Sequence, residues 1–109
     1  MDRRVCLITG ASAGIGKEFA QLMAQRGYDL ILTARREDRL VEIANNIEKE
    51  WGAKSLIIVE DLAKDGAVDR IISKINANKI KVDALINNAG YGLPGTFAST
   101  DWQDRKSVV

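Results

Sequence analysis

The run Thr9-Gly10-Ala11-Ser12-Ala13-Gly14-Ile15-Gly16 constrains this chain more than any other stretch. An apolar run, Val5-Cys6-Leu7-Ile8, leads into it, within a strand expected from Arg4 to Thr9. Ile15, Phe19, Leu22 and Met23 leave it at helical spacing, and Gly27 ends that pattern. A buried strand that turns through glycines into an amphipathic helix is the first unit of a layered α/β sheet. The unit then repeats. Tyr28 to Thr33 is a second strand, followed by a helical stripe of Leu40, Ile43, Ala44, Ile47 and Trp51 closed by Gly52. Ser55 to Val59 is a third strand, followed by a stripe of Val68, Ile71, Ile72 and Ile75, and Val82 to Ile86 is a fourth strand. Strands and helices alternate with short connections, which predicts a parallel sheet with helices on its faces and right-handed crossovers.

The end of the chain departs from this pattern. Gly92-Leu93-Pro94-Gly95 reads as a loop and Ser99-Thr100-Asp101 offers a helix cap, but Trp102 to Val109 completes no apolar stripe. Truncation after the fourth strand is therefore expected. The outer edge of that strand would be unpaired, leaving Val82, Leu85 and Ile86 without cover.

Composition excludes several function classes. The 16 basic and 15 acidic residues never form a block, so there is no nucleic-acid footprint. Histidine is absent and Cys6 is the only cysteine, which comes close to excluding a structural zinc site and leaves no internal disulfide. No run approaches the ~18 apolar residues of a membrane span. The apolar run after Met1-Asp2-Arg3-Arg4 is too short for a signal peptide. The expectation is a cytoplasmic protein with no membrane, metal or nucleic-acid partner.

The glycine turn carries the chemistry. Gly10 permits a sharp exit from the strand, Gly14 lets backbone approach a ligand, and Gly16 lets the helix pack close to the sheet. The helix that begins near Gly14 and Ile15 aims free N–H groups and its positive dipole end at the loop, where a pyrophosphate fits. Ser12 adds a hydroxyl donor. A plain strand-to-helix turn would also need glycines, so on this run alone both readings stand. A Walker loop is excluded: Lys17 lacks the preceding glycine at the required spacing, and residue 18 is Glu.

The spacing Gly-x-x-x-Gly-x-Gly, with Asn87-Asn88-Ala89-Gly90 ending the fourth strand and Asp61-Leu62 ending the third, resembles the short-chain dehydrogenase/reductase family. The resemblance runs to about Thr100 and corresponds to the N-terminal half of such an enzyme. It implies a Rossmann-type parallel sheet with flanking helices and a strand order of 3-2-1-4. Residues 1–109 would then be an incomplete NAD(P)-binding domain.

In such a fold the end of the second strand meets the adenosine ribose. An acidic residue there selects NAD, and an arginine nearby accommodates the 2′-phosphate of NADP. Here Ala34 stands at the acidic position and Arg35 and Arg36 follow it. A guanidinium matches phosphate geometry, which favours NADP. The alternative is that both arginines are solvated and pair with Glu37 or Asp38, and Arg39 reads as a surface helix residue. The resemblance implies that Asp61 accepts from the adenine amino group and that the Leu62 backbone addresses the ring edge. Capping the following helix is the alternative role for Asp61, and the two are compatible. Asn88, Ala89 and Gly90 would line the adenosine and ribose side; the alternative is an asparagine amide that ties neighbouring strands together. Cys6 reads as a small buried hydrophobe.

The family's reaction uses a Tyr with a Lys four residues later, plus a Ser and an Asn. Tyr28 has Leu32 at that offset and Tyr91 has Gly95, so no catalytic residue carries over. The resemblance implies an NADP-dependent oxidoreductase acting on a small carbonyl or alcohol substrate, homo-oligomeric at full length, of which this chain holds the cofactor-binding half. A non-catalytic dinucleotide-binding regulatory module is the alternative.

Overall fold

The computed structural model describes residues 3–12, 14–88 and 107–108. Ala89, Gly90, Tyr91, the Gly92–Gly95 loop and the Ser99–Asp101 cap therefore lie outside the described residues.

The elements follow in the order β1 (Val5–Thr9), α1 (Gly14–Gln25), β2 (Asp29–Ala34), α2 (Glu37–Trp51), β3 (Ser55–Val59), α3 (Ala67–Ala77), β4 (Ala84–Asn87) and β5 (Ser107–Val108). All strand pairs are parallel, and the sheet order is β3-β2-β1-β4-β5. Register is set so that Ile8 lies opposite Leu32 on one side and Ile86 on the other.

Every residue of β1 is buried, because successive side chains point to opposite faces and both faces are covered. Cys6, Ile8, Leu30 and Leu32 pack with Ala20 and Ala24 of α1 and Leu40, Ile43 and Ile47 of α2. Val5, Leu7, Ile31 and Ile58 pack on the other side with Ile71 and Ile75 of α3. Two helices thus cover one face and one covers the other. Among the described residues no helix is long and apolar enough to cross a membrane.

Two expectations need correction. The outer edge of β4 is not open along its whole length: Ala84 pairs with Ser107 and Leu85 with Val108. The short segment adds a fifth strand that its two residues could not announce in the sequence. The buried stripe of α1 is also not the one its large residues suggest. Ile15 is 63% exposed and Leu22 40%, whereas Gly16, Ala20 and Ala24 are buried. Small residues face the sheet because they let the helix axis approach it closely. Phe19 and Met23 flank that line, half-buried.

The N-terminal residues tie the layers together at the end of the sheet away from the glycine turn. The Arg3 guanidinium donates to the carbonyls of Gly27 (2.8 Å) and Gly52 (3.3 Å), which follow the ends of α1 and α2. It also lies 3.6 Å from the carboxylate of Asp29, which is buried and accepts from the Lys54 backbone N–H at 2.9 Å.

Candidate functional site

The order β3-β2-β1-β4 reverses between β1 and β4. A parallel sheet opens a crevice at such a point, outside the carboxyl ends of its strands. The chain leaves each strand there through a different loop, and the loops converge on one concavity. Gly10 and Ser12 line it from the β1–α1 turn, and Thr33, Ala34, Arg35 and Arg36 from the β2–α2 connection. Glu60, Asp61 and Leu62 line it after β3, and Asn88 after β4. Gly10, Ser12, Arg35, Arg36, Asp61, Leu62 and Asn88 are thus brought together. Thr33, Ala34 and Glu60 complete the lining.

The glycine turn is built for close approach. Gly16 is buried at the start of α1, and a Cβ there would collide with the Gly10 carbonyl and stand 2.7 Å from Asn88 Nδ2. Gly14 has φ +58°, and a Cβ on it would meet nothing within 4 Å, so its outer side faces open space. Gly14 and Ser12 border a second hollow with Lys17, Arg39, Glu42 and Ile43. Arg39 is exposed, as expected of a helix surface residue, but it overlooks the glycine turn. Ile15 is an exposed apolar side chain in the first turn of α1.

A hydrogen-bonded network locks the ends of β1 and β4. The Thr9 hydroxyl donates to Asn87 Oδ1 at 2.9 Å and accepts from the Asn88 backbone N–H at 3.0 Å. Asn88 Nδ2 donates to the Gly10 carbonyl at 3.3 Å. Asn88 therefore does tie neighbouring strands, and it does so while lining the concavity. The turn is also stitched to β2, since the Ala11 N–H donates to the Thr33 carbonyl at 3.2 Å.

Arg35 and Arg36 differ. Arg36 precedes α2 with extended backbone (φ −104°, ψ 99°), and its guanidinium is 3.6 Å from the Asp38 carboxylate. Both side chains are exposed, and such a pair contributes about 0–1 kcal/mol, too little to withhold Arg36 from a phosphate. Arg35 forms no ion pair among the described residues.

Asp61 does not cap α3. Its Oδ1 accepts from the Ala63 N–H at 2.9 Å, which caps the turn just ahead of that helix. Gly66, with φ +78°, precedes α3 and supplies no side-chain cap. Beside Asp61, Glu60 is gripped by Arg70: Nε lies 3.0 Å from both carboxylate oxygens and Nη2 3.0 Å from Oε1. The hydrogen bond to Glu60 raises the Arg70 pKa, against the opposing effect of desolvation, so the guanidinium stays charged.

Thr33, like Glu60 and Arg70, does not stand out in the sequence pattern. It is 1% exposed and lines the concavity, and its hydroxyl has no hydrogen-bond partner among the described residues. Its position at the end of β2 was legible, but an unpartnered hydroxyl is a property of the packed structure.

The model of the family "short chain dehydrogenase" matches residues 4–109. The chain belongs to the short-chain dehydrogenase family. The chain is 38% identical over 106 residues to a very-long-chain 3-oxoacyl-CoA reductase of Vanderwaltozyma polyspora, covering 95% of this chain and 30% of that protein. Among solved structures it resembles the L-sorbose reductase of Gluconobacter frateurii in complex with NADPH and L-sorbose. That match has 36% identity and a TM-score of 0.75, over 83% of this chain and 34% of the other. It also resembles an alcohol dehydrogenase of Thermococcus sibiricus in complex with 5-hydroxy-NADP. There the identity is 36% and the TM-score 0.72, over 76% of this chain and 35% of the other. The chain thus spans about a third of the length of these relatives.

Proposed function

We propose that the chain binds NADP(H) in the crevice between β1 and β4 and serves as the cofactor-binding part of an oxidoreductase. Bound there, the nicotinamide supplies a hydride to a substrate carbonyl, or takes one from the corresponding alcohol. The observation that carries this reading is the placement of Arg35 and Arg36 beside Ala34, in one concavity with Ser12, Asp61 and Asn88. An acidic side chain at residue 34 would repel a 2′-phosphate, and two guanidinium groups attract it.

The remaining residues fit the rest of the nucleotide. The N-terminal turn of α1 and Ser12 offer donors to the pyrophosphate, and Gly14 and Ile15 bring that turn close to it. Asp61 Oδ1 already accepts from Ala63, and Oδ2 has no partner among the described residues, so it can accept from an adenine amino group. The Leu62 backbone would meet the ring edge. Asn88 would face the ribose, with Ala89 and Gly90 continuing that wall. The substrates named for the two reductases share a carbonyl, as 3-oxoacyl thioester or keto sugar, which supports a ketone as the reacting group.

Calorimetric titration of the 109-residue chain with NADP+ and NAD+ tests the reading. These ligands differ only in the 2′-phosphate. Tighter binding of NADP+, by about tenfold or more for one charge-assisted contact, is the expected result. Equal affinities, or no binding of either, would overturn it.

A further inference from the structure

We infer that Arg70 is a positioning residue that sets nucleotide preference: by holding Glu60 it keeps Arg35 available to a 2′-phosphate. The inference rests on the NADP(H) reading proposed above. Arg35 and Glu60 line the same concavity, and a second hollow is lined by Arg35, Glu60, Asp61, Lys64 and Arg70. The Glu60 side chain is only 10% exposed, so water screens its charge weakly. A carboxylate so placed takes the nearest cation. Arg70 occupies both of its oxygens with contacts of 3.0 Å, and Arg35 has no ion pair among the described residues.

The grip is built into the β3–α3 connection. Arg70 Nη1 donates to the Asp65 carbonyl at 3.1 Å. Gly66 leaves room for the guanidinium, since a Cβ there would lie 2.9 Å from Nη1. Arg70 is thus anchored on its far side by backbone and presents its remaining donors to Glu60. Without Arg70, the Glu60 carboxylate would be left beside Arg35. It would pair with that guanidinium and repel an incoming phosphate. The adenine and pyrophosphate contacts would be untouched. The expected signature is therefore a loss confined to ligands that carry the 2′-phosphate.

Titration of NADP+ and NAD+ into the parent chain, Arg70→Met, Arg70→Lys and the double variant Glu60→Gln/Arg70→Met tests this, with circular dichroism as the check on folding. Arg70→Met should weaken NADP+ by about tenfold, the loss of one charge-assisted contact, and leave NAD+ unchanged. Arg70→Lys, which keeps the charge, should fall between. The double variant should recover the NADP+ affinity of the parent, because the competing carboxylate is gone. An unchanged NADP+/NAD+ ratio in Arg70→Met, or no recovery in the double variant, overturns the inference. If Arg70→Met does not fold, Arg70→Lys decides: a lowered NADP+/NAD+ ratio supports the inference and an unmoved ratio contradicts it. A parent chain without NADP+ preference overturns the NADP(H) reading and this inference with it. A selective parent with an unmoved Arg70→Met ratio overturns only the inference.

Discussion

Asn88 Nδ2 donates to the Gly10 carbonyl at 3.3 Å, across the point where the strand order reverses. A side chain at residue 16 would occupy the same space. Helix α1 can therefore start against the sheet only if residue 16 has no Cβ. The aim of its first N–H groups depends on that contact.

Gly16→Ala should lower stability by about 1–3 kcal/mol, the usual cost of forcing a methyl group into a packed site. Asn88→Ala should cost less, about 0.5–1.5 kcal/mol for one hydrogen bond. Combining the two should not rescue Gly16→Ala, because the Gly10 carbonyl is backbone and remains in the way. Urea unfolding of the three variants measures this. A Gly16→Ala chain as stable as the parent would show that α1 has room to move away.

Arg35→Ala should weaken NADP+ and leave NAD+ nearly unchanged. A charge-assisted hydrogen bond contributes about 1.5–3 kcal/mol. At ~1.4 kcal/mol per decade, its loss is roughly a tenfold to hundredfold change in Kd. Ala34→Asp should weaken NADP+ as well and should strengthen NAD+, by offering the 2′-hydroxyl an acceptor. Parallel titrations of both nucleotides check these outcomes. Equal weakening of the two by Arg35→Ala would make Arg35 a surface residue.

Cys6 is fully buried in β1, and burial pushes its thiol up from 9.0 to about 12. It should not react with a thiol reagent at neutral pH until the chain unfolds. The raised value also makes stability depend on pH. Above pH 9.0 the unfolded chain gives up a proton that the native chain retains until about 12, so stability falls as pH rises through that window. The slope is about 1.4 kcal/mol per pH unit for a single group. Urea unfolding of the parent and Cys6→Ala on either side of pH 9.0 isolates this contribution: the gap between them should shift against the parent at the higher pH. A gap independent of pH would contradict the assignment.

The four long strands and three helices are legible in the sequence because each is a run of apolar residues or a stripe at helical spacing. Leu40, Ile43 and Ile47 are buried as their spacing demands, and Gly52, with φ +70°, closes α2 where expected. The α1 stripe misleads because size is a poor guide at a close helix–sheet contact. Gly16, Ala20 and Ala24 face the sheet there, while Ile15 and Leu22 look outward. The β5 strand is too short to have a period.

At the site, Gly10, Ser12, Arg35, Arg36, Asp61 and Asn88 are legible because each stands at the end of a strand, where a parallel sheet gathers its loops. Thr33, Glu60 and Arg70 are not legible. A buried hydroxyl without a partner among the described residues, and an ion pair between a strand end and the next helix, exist only once the layers are packed.

The central claim is that the strand-end crevice holds NADP(H) with its 2′-phosphate on Arg35 and Arg36. Backbone amide spectra of the nitrogen-15-labelled chain, recorded during titration with NADP+ and separately with NAD+, test it most directly. Both nucleotides should shift the amides of Ser12, Gly14, Ile15, Gly16, Asp61, Leu62 and Asn88, and only NADP+ should strongly shift Arg35 and Arg36. Shifts centred elsewhere, or the same response at Arg35 and Arg36 to both nucleotides, would contradict it.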